Sequence, residues 1–562
     1  MTTQPVYGNF LGMYVRTISR RNKDGSLVEY IQLAHNVRDA EKGYSKADVI
    51  YSFGRRDQLD LTAIKRLVKS LSRFLEPADA LQVLAASGDQ TPFKFTGSKP
   101  AGGSHLLRGL WDRLHLRNCF NHALKNRAFS APIEEAIFAM VANRALDPSS
   151  KLSIEEWVAK DVFLGNSEEI KVQHCYRAMD FLLEHDQMVQ KEVFWATANL
   201  LNLEVDLIFF DTTNTYFEVD DPGDSELKKY GHSKHKREDL PQVTIGLAVT
   251  RSGIPVRCWV LPGNQNDAKS VEQIQKDMTD WSLGRVVWVM DRGMAGEENR
   301  RILQRAGGQY ILGEKLRGVN ENMEALSRGG RYKTVRDNLM VKEVYLGKEL
   351  GQRRFVVVFN PAEAKKDKAT REKTLTRIDA ELATIASLPE SKREKACARL
   401  LDHTTMGRFL EKKADGRVVV KKAKVLAEEK LDGKYLLSSS SDSMSAEDIA
   451  QGYKQLLDVE RAFRTLKSSL GLRPVYHSKD DRIRSHVLIC WLALMLVRIA
   501  EVETGLSWER IRTEMDRQHM GEFLGKDGHF LQRSELTTDQ RNILKKLKIK
   551  PPKTIEKLVP SS

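Results

Sequence analysis

Hydrophobic and polar residues alternate near the N-terminus and recur at helical spacing further along the chain. The alternating segments Met13–Ser19 and Val28–Ala34 are separated by a short polar turn, which predicts a β-hairpin. The segment Leu59–Ala86 has the periodicity of a helix. The Gly-, Pro- and Ser-rich stretch 88–104 is typical of a linker, and helical periodicity resumes over residues 105–200.

The pattern changes to short apolar runs from residue 203 onward. They predict three strands, a helix, a strand, a helix and a strand, a mixed α/β order. This is the order of the RNase H-like fold, in which carboxylates stand at the ends of the first and fourth strands. The predicted elements are Val205–Asp211, Val243–Thr250, Ile254–Leu261, Lys269–Trp281, Val286–Asp291, Glu297–Ala306 and Gln309–Leu312.

Residues 317–431 interrupt this order with strands and a charged helix of their own. The strands are Val341–Leu346 and Arg354–Phe359, and the helix is Ala362–Ser387. We interpret this part as a mainly β insertion, after which the core resumes at Gly433–Ser439 and continues with a helix from Ala446. The last, basic residues predict a mobile tail.

Length and charge narrow the class of protein. A chain of 562 residues is too long for one hydrophobic core, so several domains are expected. Hydrophobic residues make up 41%, which favours globular packing over disorder. The 90 Lys and Arg exceed the 76 Asp and Glu and give a net charge of +14. This surplus fits a polyanionic partner, and it also fits an ordinary basic, soluble protein.

The cysteines and the apolar runs exclude other classes. The five cysteines contain no CxxC pair, which argues against a zinc site or a disulfide framework and fits a reducing cytoplasm. The N-terminus has no signal-peptide pattern. The longest apolar run, Val487–Val497, is too short to span a bilayer and predicts a buried helix. We therefore expect no membrane partner.

Three acidic residues carry the candidate chemistry. Asp211 and Asp291 each end an apolar, strand-like run, and Glu460 lies within a patterned helix, Tyr453–Leu470. Two carboxylates at strand ends and one on a late helix are an arrangement that binds divalent metals for phosphoryl chemistry on nucleic acid. The three are far apart in sequence, so only the fold can bring them together.

The helix of Glu460 has one packing face and one polar stripe. At roughly 100° per residue, Tyr453, Glu460, Arg464 and Lys467 share a narrow stripe, beside a face of apolar residues. The polar stripe favours a functional surface. The alternative is that Glu460 and Arg464 form an ordinary ion pair on the surface.

The spacing in this helix resembles a known signature. Tyr453-x2-Leu456-x3-Glu460-x6-Lys467 resembles the Tyr-x2-Arg-x3-Glu-x6-Lys signature of DDE transposases from bacterial insertion sequences, in the branch that includes insertion sequence four. Leu456 replaces the signature Arg, which in the family contacts DNA phosphate, and Arg461 or Arg464 is the candidate to supply that charge. Other segments resemble the family in the same order: Asp211–Phe217, Gly231–Lys234, Asp239–Gln242, Pro262–Asp267 and Val289–Gly293.

The resemblance implies an activity and a site. Asp211, Asp291 and Glu460 are expected to hold two Mg²⁺ ions, which Mn²⁺ can replace. Tyr453, Arg464 and Lys467 are expected to bind DNA. The expected reaction is DNA cleavage at the ends of the insertion sequence, with a hairpin intermediate on the transposon end, followed by strand transfer into target DNA. The implied partners are double-stranded DNA, as terminal inverted repeats and target DNA, and a second copy of the chain in the DNA complex.

The expected division of the chain follows from these patterns. It comprises an N-terminal hairpin and helix region (1–87), a linker (88–104), a helical candidate DNA-end-binding domain (105–202), the core (203–316 and 432–505) with its insertion (317–431), and a basic C-terminal region (506–562). Two other functions remain open at this point. One is a DNA-binding relative without catalysis, and the other is a two-metal nuclease that only hydrolyses DNA.

Overall fold

The computed structural model describes residues 12–560 apart from several short gaps. The chain forms two compact units, one built from 1–98, 521–533 and 553–562 and the other from 99–520 and 534–552. The residues not described within 12–560 are 39–44, 73, 76–78, 80–93, 126–131, 166–169, 202–205, 220, 234–236, 279–280, 282–285, 306, 348–351, 474 and 526–527.

The first unit begins with an antiparallel sheet. Strands β1 (Tyr14–Arg21) and β2 (Leu27–Arg38) form the predicted hairpin, with Arg21 opposite Leu27. A third strand, β3 (Ser45–Arg55), pairs with β2 and was not predicted. Helix α1 (Leu61–Ser72) follows, and most of the predicted helix beyond it lies outside the described residues.

The predicted linker is largely structured where it is described. Residues 88–93 lie outside the described part, but Lys94–Pro100 forms strand β4 and Gly102–Arg113 forms helix α2. The linker prediction is therefore wrong for 94–104. A Cβ atom on Gly102 would lie 2.2 Å from the carbonyl oxygen of Met515, so this glycine permits close backbone packing.

The predicted helical character of residues 105–200 is confirmed. Helix α4 (Ile133–Leu146) lies in the interior, because every residue from Ile133 to Ala145 except the half-buried Glu135 is buried. The helices are α3 (Leu116–Leu124), α4 (Ile133–Leu146), α5 (Ile154–Lys160), α6 (Val172–Glu184) and α7 (Asp186–Leu201).

The central sheet has the RNase H-like topology. Strands β5, β8 and β9 are parallel neighbours, and β6 and β7 continue the sheet in antiparallel pairing from β5. The predicted fold is confirmed. Its elements are β5 (Leu207–Tyr216), β6 (Gln242–Thr250), β7 (Pro255–Pro262), α8 (Asp267–Met278), β8 (Val287–Met290), α9 (Glu297–Arg305) and β9 (Gln309–Glu314).

The insertion contains more helix than strand, which corrects the mainly β expectation. Its strands β10 to β12 join the central sheet through β15, in the order β10-β11-β12-β15-β9-β8-β5-β6-β7. The elements are α10 (Asn320–Ser327), β10 (Lys333–Arg336), β11 (Leu339–Leu346), β12 (Arg353–Phe359), α11 (Pro361–Ser387), α12 (Glu390–Leu401), β13 (Leu410–Lys412), β14 (Val418–Val420), α13 (Lys422–Glu429) and β15 (Lys434–Ser439).

The C-terminal part is folded, so the mobile-tail prediction is wrong. Leu544 and Leu547 are buried, because these apolar residues between lysines pack into the core. The remaining elements are α14 (Ala446–Lys454), α15 (Leu456–Arg464), α16 (Asp480–Thr504), α17 (Trp508–Asp516), β16 (His519–Gly525), β17 (Gly528–Arg533), α18 (Thr538–Lys546) and β18 (Ile555–Pro560).

Helix α16 is the predicted buried helix. In the described part of the chain it alone is long and apolar enough to cross a membrane, but 83% of its apolar window is buried inside the protein. It packs against α4, α6 and β7, and Arg484 donates to the carbonyl of Val260 on β7. The burial identifies it as a core helix of the fold.

The side chains of the central strands alternate between two hydrophobic cores. Leu207 and Phe209 of β5 belong to the core formed with α14, α15 and α16, whereas Ile208 and Phe210 belong to the core formed with α7, α8 and α9. The sheet is thus covered by helices on both faces. Because side chains alternate along a strand, consecutive residues of each central strand point into different cores.

Candidate active site

Asp211 and Asp291 lie side by side at the ends of paired strands. Residues Leu207–Phe210 of β5 pair in parallel with Val287–Met290 of β8, and each aspartate follows the last pair directly. Neighbouring strands are about 4.8 Å apart, so the two backbones are adjacent at this edge. The structure therefore brings the two predicted aspartates together.

Strand β5 continues beyond Asp211, contrary to the predicted strand end. Residues Thr212–Tyr216 keep pairing with β6, although β8 has ended. The polar run after Asp211 suggests a turn in the sequence, but its threonines are β-branched and suit a strand. Asn214 donates from Nδ2 to Oγ1 of Thr244 on β6 at 3.1 Å, which satisfies one polar group across the pair.

Both aspartates face the helices that follow the insertion. By alternation, Asp211 shares its face with Phe209, and Asp291 continues the face of Val289. On this face α14 packs against β8 and β9, and α15 packs against β5 and β6. The fold thus places the helices of Tyr453 and Glu460 over the edge that carries the two aspartates.

Tyr453 of α14 reaches Asp291 directly. Its hydroxyl donates to Oδ1 of Asp291 at 3.1 Å. The approach depends on Gly313 of β9, because a Cβ atom there would lie 2.2 Å from the tyrosine hydroxyl oxygen. Sequence reasoning missed Gly313, although a glycine inside a strand pattern is the signal of such a close approach.

The environment of Tyr453 keeps its hydroxyl protonated. Burial raises the pKa of Tyr453, and the neighbouring Asp291 carboxylate raises it further. The ring stacks on Tyr435 of β15, with centroids 6.0 Å apart. A buried, protonated tyrosine is a fixed hydrogen-bond donor that orients the Asp291 carboxylate.

The single predicted helix Tyr453–Leu470 is wrong. Helix α14 ends at Lys454, Gln455 stands between the two helices with ψ −5°, and α15 ends at Arg464. Residues Thr465–Ser469 then form a π-helical turn. Tyr453, Glu460 and Lys467 therefore do not share one helical stripe. A helix break separates Tyr453 from Glu460, and Lys467 lies in the wider π-helical turn.

Glu460 is exposed and unpaired on α15. Val459, Ala462 and Phe463 bury the other side of this helix. Among the described residues Glu460 has no hydrogen bond or ion pair, so the alternative of a surface ion pair with Arg464 is not observed. The carboxylate is free to bind a ligand.

The basic residues around Glu460 differ in whether a protein carboxylate pairs with them. Arg461 pairs with Asp458 at 3.3 Å, whereas Arg464 is exposed and has no ion pair with any described residue. Lys467 is half-buried, with Nζ 5.9 Å from the ring centroid of Phe463. Arg464 is therefore the better candidate for the charge that Leu456 does not supply.

A basic cavity of about 770 Å³ lies beside the π-helical turn. Lys228, Lys467 and Arg473 contribute positive charge to it against the single carboxylate of its described lining, that of Glu218, and Tyr216 and Tyr476 contribute aromatic rings. Tyr216 is the last residue of β5, the strand of Asp211. Cations and aromatic rings together suit a nucleic-acid strand.

The three acids do not form a closed cluster in this structure. Within the described residues, no three Asp, Glu, His or Cys side chains lie close enough together to hold a metal ion. The two aspartates are positioned by the sheet, and Glu460 stands on the neighbouring helix. All three are hard oxygen donors, which is the set that Mg²⁺ prefers.

Comparisons with known proteins give two family matches. A family model described as transposase DDE domain matches residues 207–496, more than half of the chain. A model described as the N-terminal domain of IS1634 family transposases matches residues 15–82. No curated protein matches the chain.

Two solved structures show distant similarity. A piggyBac transposase synaptic complex with hairpin DNA is 9% identical, with TM-score 0.34 over 74% of this chain and 76% of that chain. A Mos1 transposase paired-end complex with the left transposon end is 10% identical, with TM-score 0.14 over 33% of this chain and 60% of that one. At these TM-scores neither likeness bears on the site.

The DDE-domain match begins at β5 and ends within α16, so it covers both aspartates, the insertion and the helix of Glu460. The central sheet independently has the topology that this family requires. The chain therefore belongs to the DDE transposases of bacterial insertion sequences, metal-dependent enzymes that cut and join DNA, and its N-terminal match is to the IS1634 family.

Proposed function

We propose that Asp211, Asp291 and Glu460 are the catalytic residues of this transposase and hold two Mg²⁺ ions, which Mn²⁺ can replace. The observation that carries the proposal is the parallel pairing of β5 and β8, which ends at the two aspartates on the face covered by α15. Glu460 completes the set from α15, where its carboxylate is exposed and has no ion pair with any described residue.

The bound ions supply activation of an attacking oxygen and stabilisation of the leaving oxygen at a phosphodiester. The chain's own residues arrange the site around them. Tyr453 fixes one oxygen of Asp291 through its hydroxyl, and the backbone N–H of Thr212 donates to Oδ1 of Asp211 at 2.7 Å. Both hydrogen bonds limit the directions in which the carboxylates present their remaining oxygens.

We propose that the DNA strand enters along the 770 Å³ cavity, where Lys467 contacts a phosphate as a point charge. Arg464 adds an exposed charge on the face of Glu460, because residues four apart share one side of a helix. Tyr453 acts on the DNA indirectly in this proposal, since its hydroxyl is engaged with Asp291.

The substrates are the terminal inverted repeats of the element and a target duplex. Water attacks first and releases a 3′-OH. This 3′-OH attacks the opposite strand and forms a hairpin on the transposon end, and a second water opens the hairpin and regenerates the 3′-OH. The regenerated 3′-OH then attacks the target. Two ends must meet, so the active form is a dimer on DNA. The expected location is the bacterial cytoplasm, in association with the nucleoid.

The end-binding role of residues 105–202 is restricted by burial. Helix α4 lies inside the core and offers no surface to DNA. Helix α3 presents the exposed polar side chains of Asn121 and His122, and the exposed Lys125 follows its last residue. Arg117 is instead engaged by Asp112, Glu134 and Glu135. We propose α3 as the element of this region that contacts the ends.

A strand-transfer assay tests the proposed site. Purified protein is incubated with Mg²⁺, target DNA and a fragment that carries the inverted repeats found beside the gene. Asp211→Ala and Glu460→Ala should each abolish cleavage and joining. The matched control is Asp458→Ala, which removes an acid two residues from Glu460 whose ion pair within the described residues is with Arg461. Undiminished activity in either site variant would reject the assignment.

The same assay separates the other two functions. Cleaved ends without joined products would identify a nuclease that only hydrolyses. Retarded but uncut DNA with the wild-type protein would identify a binding protein without catalysis. Joined products that depend on all three acids are the expected result.

A further inference from the structure

A small basic cavity lies apart from the three acids. Its volume is about 120 Å³, and it lies where the end of α4 and the turn before α5 meet α6 and α16. The side chains of Arg144, Lys151, Tyr176, His477 and His486 line it. No carboxylate belongs to its described lining, so every charged group facing it is cationic.

Lys151 is the unusual member of this group. It is only 4% exposed, yet it has no hydrogen bond or ion pair with any described residue. A buried ammonium without a counter-ion is costly, and burial lowers the pKa of Lys151 to about 7. An anion in the cavity would remove this cost.

Arg144 and His486 add buried nitrogen atoms without hydrogen-bond partners among the described residues. Both are 4% exposed. Arg144 donates from its terminal nitrogens to carbonyl groups, including that of Gly471 at 3.0 Å, but its Nε has no partner among the described residues. Within the same described part of the chain, Nδ1 of His486 also has no partner. Because native proteins satisfy nearly all buried polar groups, several unsatisfied groups around one cavity indicate a ligand.

The size and chemistry of the cavity restrict that ligand. The volume corresponds to about four water molecules at about 30 Å³ each. A tetrahedral oxyanion fits, whereas a nucleoside is too large. Ammonium, guanidinium and hydroxyl donors are the groups that bind phosphate oxygens. Tyr476, which is 76% exposed, marks the mouth towards solvent.

We propose that this cavity binds one phosphate group through Lys151, Arg144 and His486. The DNA strand is one source of the phosphate, and free inorganic phosphate is the other. Tyr476 and His477 line this cavity and the 770 Å³ cavity near Lys467 alike, so a strand that lies in the larger one can place a phosphate in the smaller one. Only the DNA source rests on the proposed function.

Thermal unfolding of the full chain tests the phosphate site. Inorganic phosphate is titrated against chloride at constant ionic strength. The wild-type Tm should rise with phosphate, since a ligand that binds the folded state stabilises it. Lys151→Met should raise the Tm in chloride, because it removes a buried unpaired charge, and should lose the phosphate-dependent rise.

A matched variant and a chemical probe complete the test. Lys160→Met removes an exposed lysine paired with Glu156 and should keep the phosphate-dependent rise. Acetylation of wild-type protein, read by mass spectrometry, should be slowed at Lys151 relative to Lys160, by about tenfold at phosphate ten times above its Kd. An absent rise in the wild-type Tm, or an equal rise in Lys151→Met, would overturn the proposal.

The same acetylation experiment with different DNA ligands distinguishes the sources of phosphate. Protection of Lys151 by duplexes with or without a 5′-phosphate supports an internal phosphodiester, and protection only by 5′-phosphorylated DNA supports a terminal phosphate. Protection by inorganic phosphate alone supports a free anion. The experiment is repeated with Asp211→Ala, which should keep the protection, so a failed catalytic assignment leaves this result intact.

Discussion

The two aspartates and the glutamate of the proposed site are held in different ways. Asp211 and Asp291 follow directly paired residues of two central strands, with β6 and β9 as further neighbours. Glu460 stands on the nine-residue helix α15, between the interruption at Gln455 and a π-helical turn. The sheet fixes the positions of the aspartates, whereas a short helix with irregular ends carries the glutamate.

This difference indicates that the aspartates are fixed in position, whereas Glu460 can move. Paired strands cannot shift without breaking ladder hydrogen bonds, so the aspartates form a rigid half. A short helix can rotate or translate at its irregular ends, and π-helical turns occur frequently at functional sites. We infer that Glu460 closes on a platform formed by the two aspartates.

The largest effect is expected from removing a rigid ligand. Asp291→Ala should reduce strand transfer by on the order of 10³-fold or more and should also abolish binding of Mn²⁺ measured by electron paramagnetic resonance. Glu460→Ala should reduce strand transfer as strongly but retain weakened binding of one ion. Equal loss of ion binding in Asp291→Ala and Glu460→Ala would contradict the proposal that the aspartates bind an ion before Glu460 closes on it.

A methyl group at Gly313 should displace Tyr453 from its hydrogen bond with Asp291. Gly313→Ala places a Cβ atom 2.2 Å from the hydroxyl oxygen of Tyr453, so the tyrosine must leave Asp291. We expect a loss of about 1–3 kcal/mol in unfolding free energy and reduced strand transfer. Gly296→Ala is the control, because no atom of the described residues lies within 4 Å of its Cβ position. Wild-type behaviour of Gly313→Ala would show that Tyr453 does not need this position.

The rigid half of the site was predictable from sequence. Short apolar runs that end in Asp211 and Asp291 predict buried strands, and the order of elements predicts that these strands are neighbours. The register then follows, because one face of each strand must meet each core. The polar continuation of β5 past Asp211 was not predictable, since its strand character comes from pairing with β6.

The helix-borne half was predictable only in part. Periodicity places Val459, Phe463 and Leu466 in the core, and all three are buried. The interruption at Gln455 leaves no signal, because this residue is an ordinary helix former. The hydrogen bond from Tyr453 to Asp291 joins residues 162 positions apart, so only the fold reveals it.

Removing the Tyr453 hydroxyl should have a moderate effect. Tyr453→Phe deletes the hydrogen bond to Asp291 and should lower the unfolding free energy by about 0.5–1.5 kcal/mol, with slower strand transfer. Tyr435→Phe is the control, because the buried hydroxyl of Tyr435 has no hydrogen-bond partner among the described residues and its loss should be neutral or stabilising. Equal effects in the two variants would mean that the hydrogen bond from Tyr453 to Asp291 contributes nothing to stability.

The pH dependence gives a second measurement on Tyr453. Burial raises its pKa in the folded state above the ordinary value of 10.0. Its contribution to stability is therefore complete below pH 10 and is lost as pH rises towards the folded pKa. Urea unfolding above pH 10 should show a smaller stability decrease in Tyr453→Phe than in the wild type.

The smallest effect concerns the exposed charges on the helix of Glu460. Arg464→Met should weaken DNA binding a few-fold and reduce the slope of log K against log salt by about 1, since one phosphate contact is lost. Arg461→Met should change both quantities less, because Arg461 already pairs with Asp458. Two arginines on one helix then differ only in whether a protein carboxylate holds them. Fluorescence anisotropy over a range of salt concentrations measures this difference, and an unchanged slope in Arg464→Met would remove Arg464 from the DNA contact.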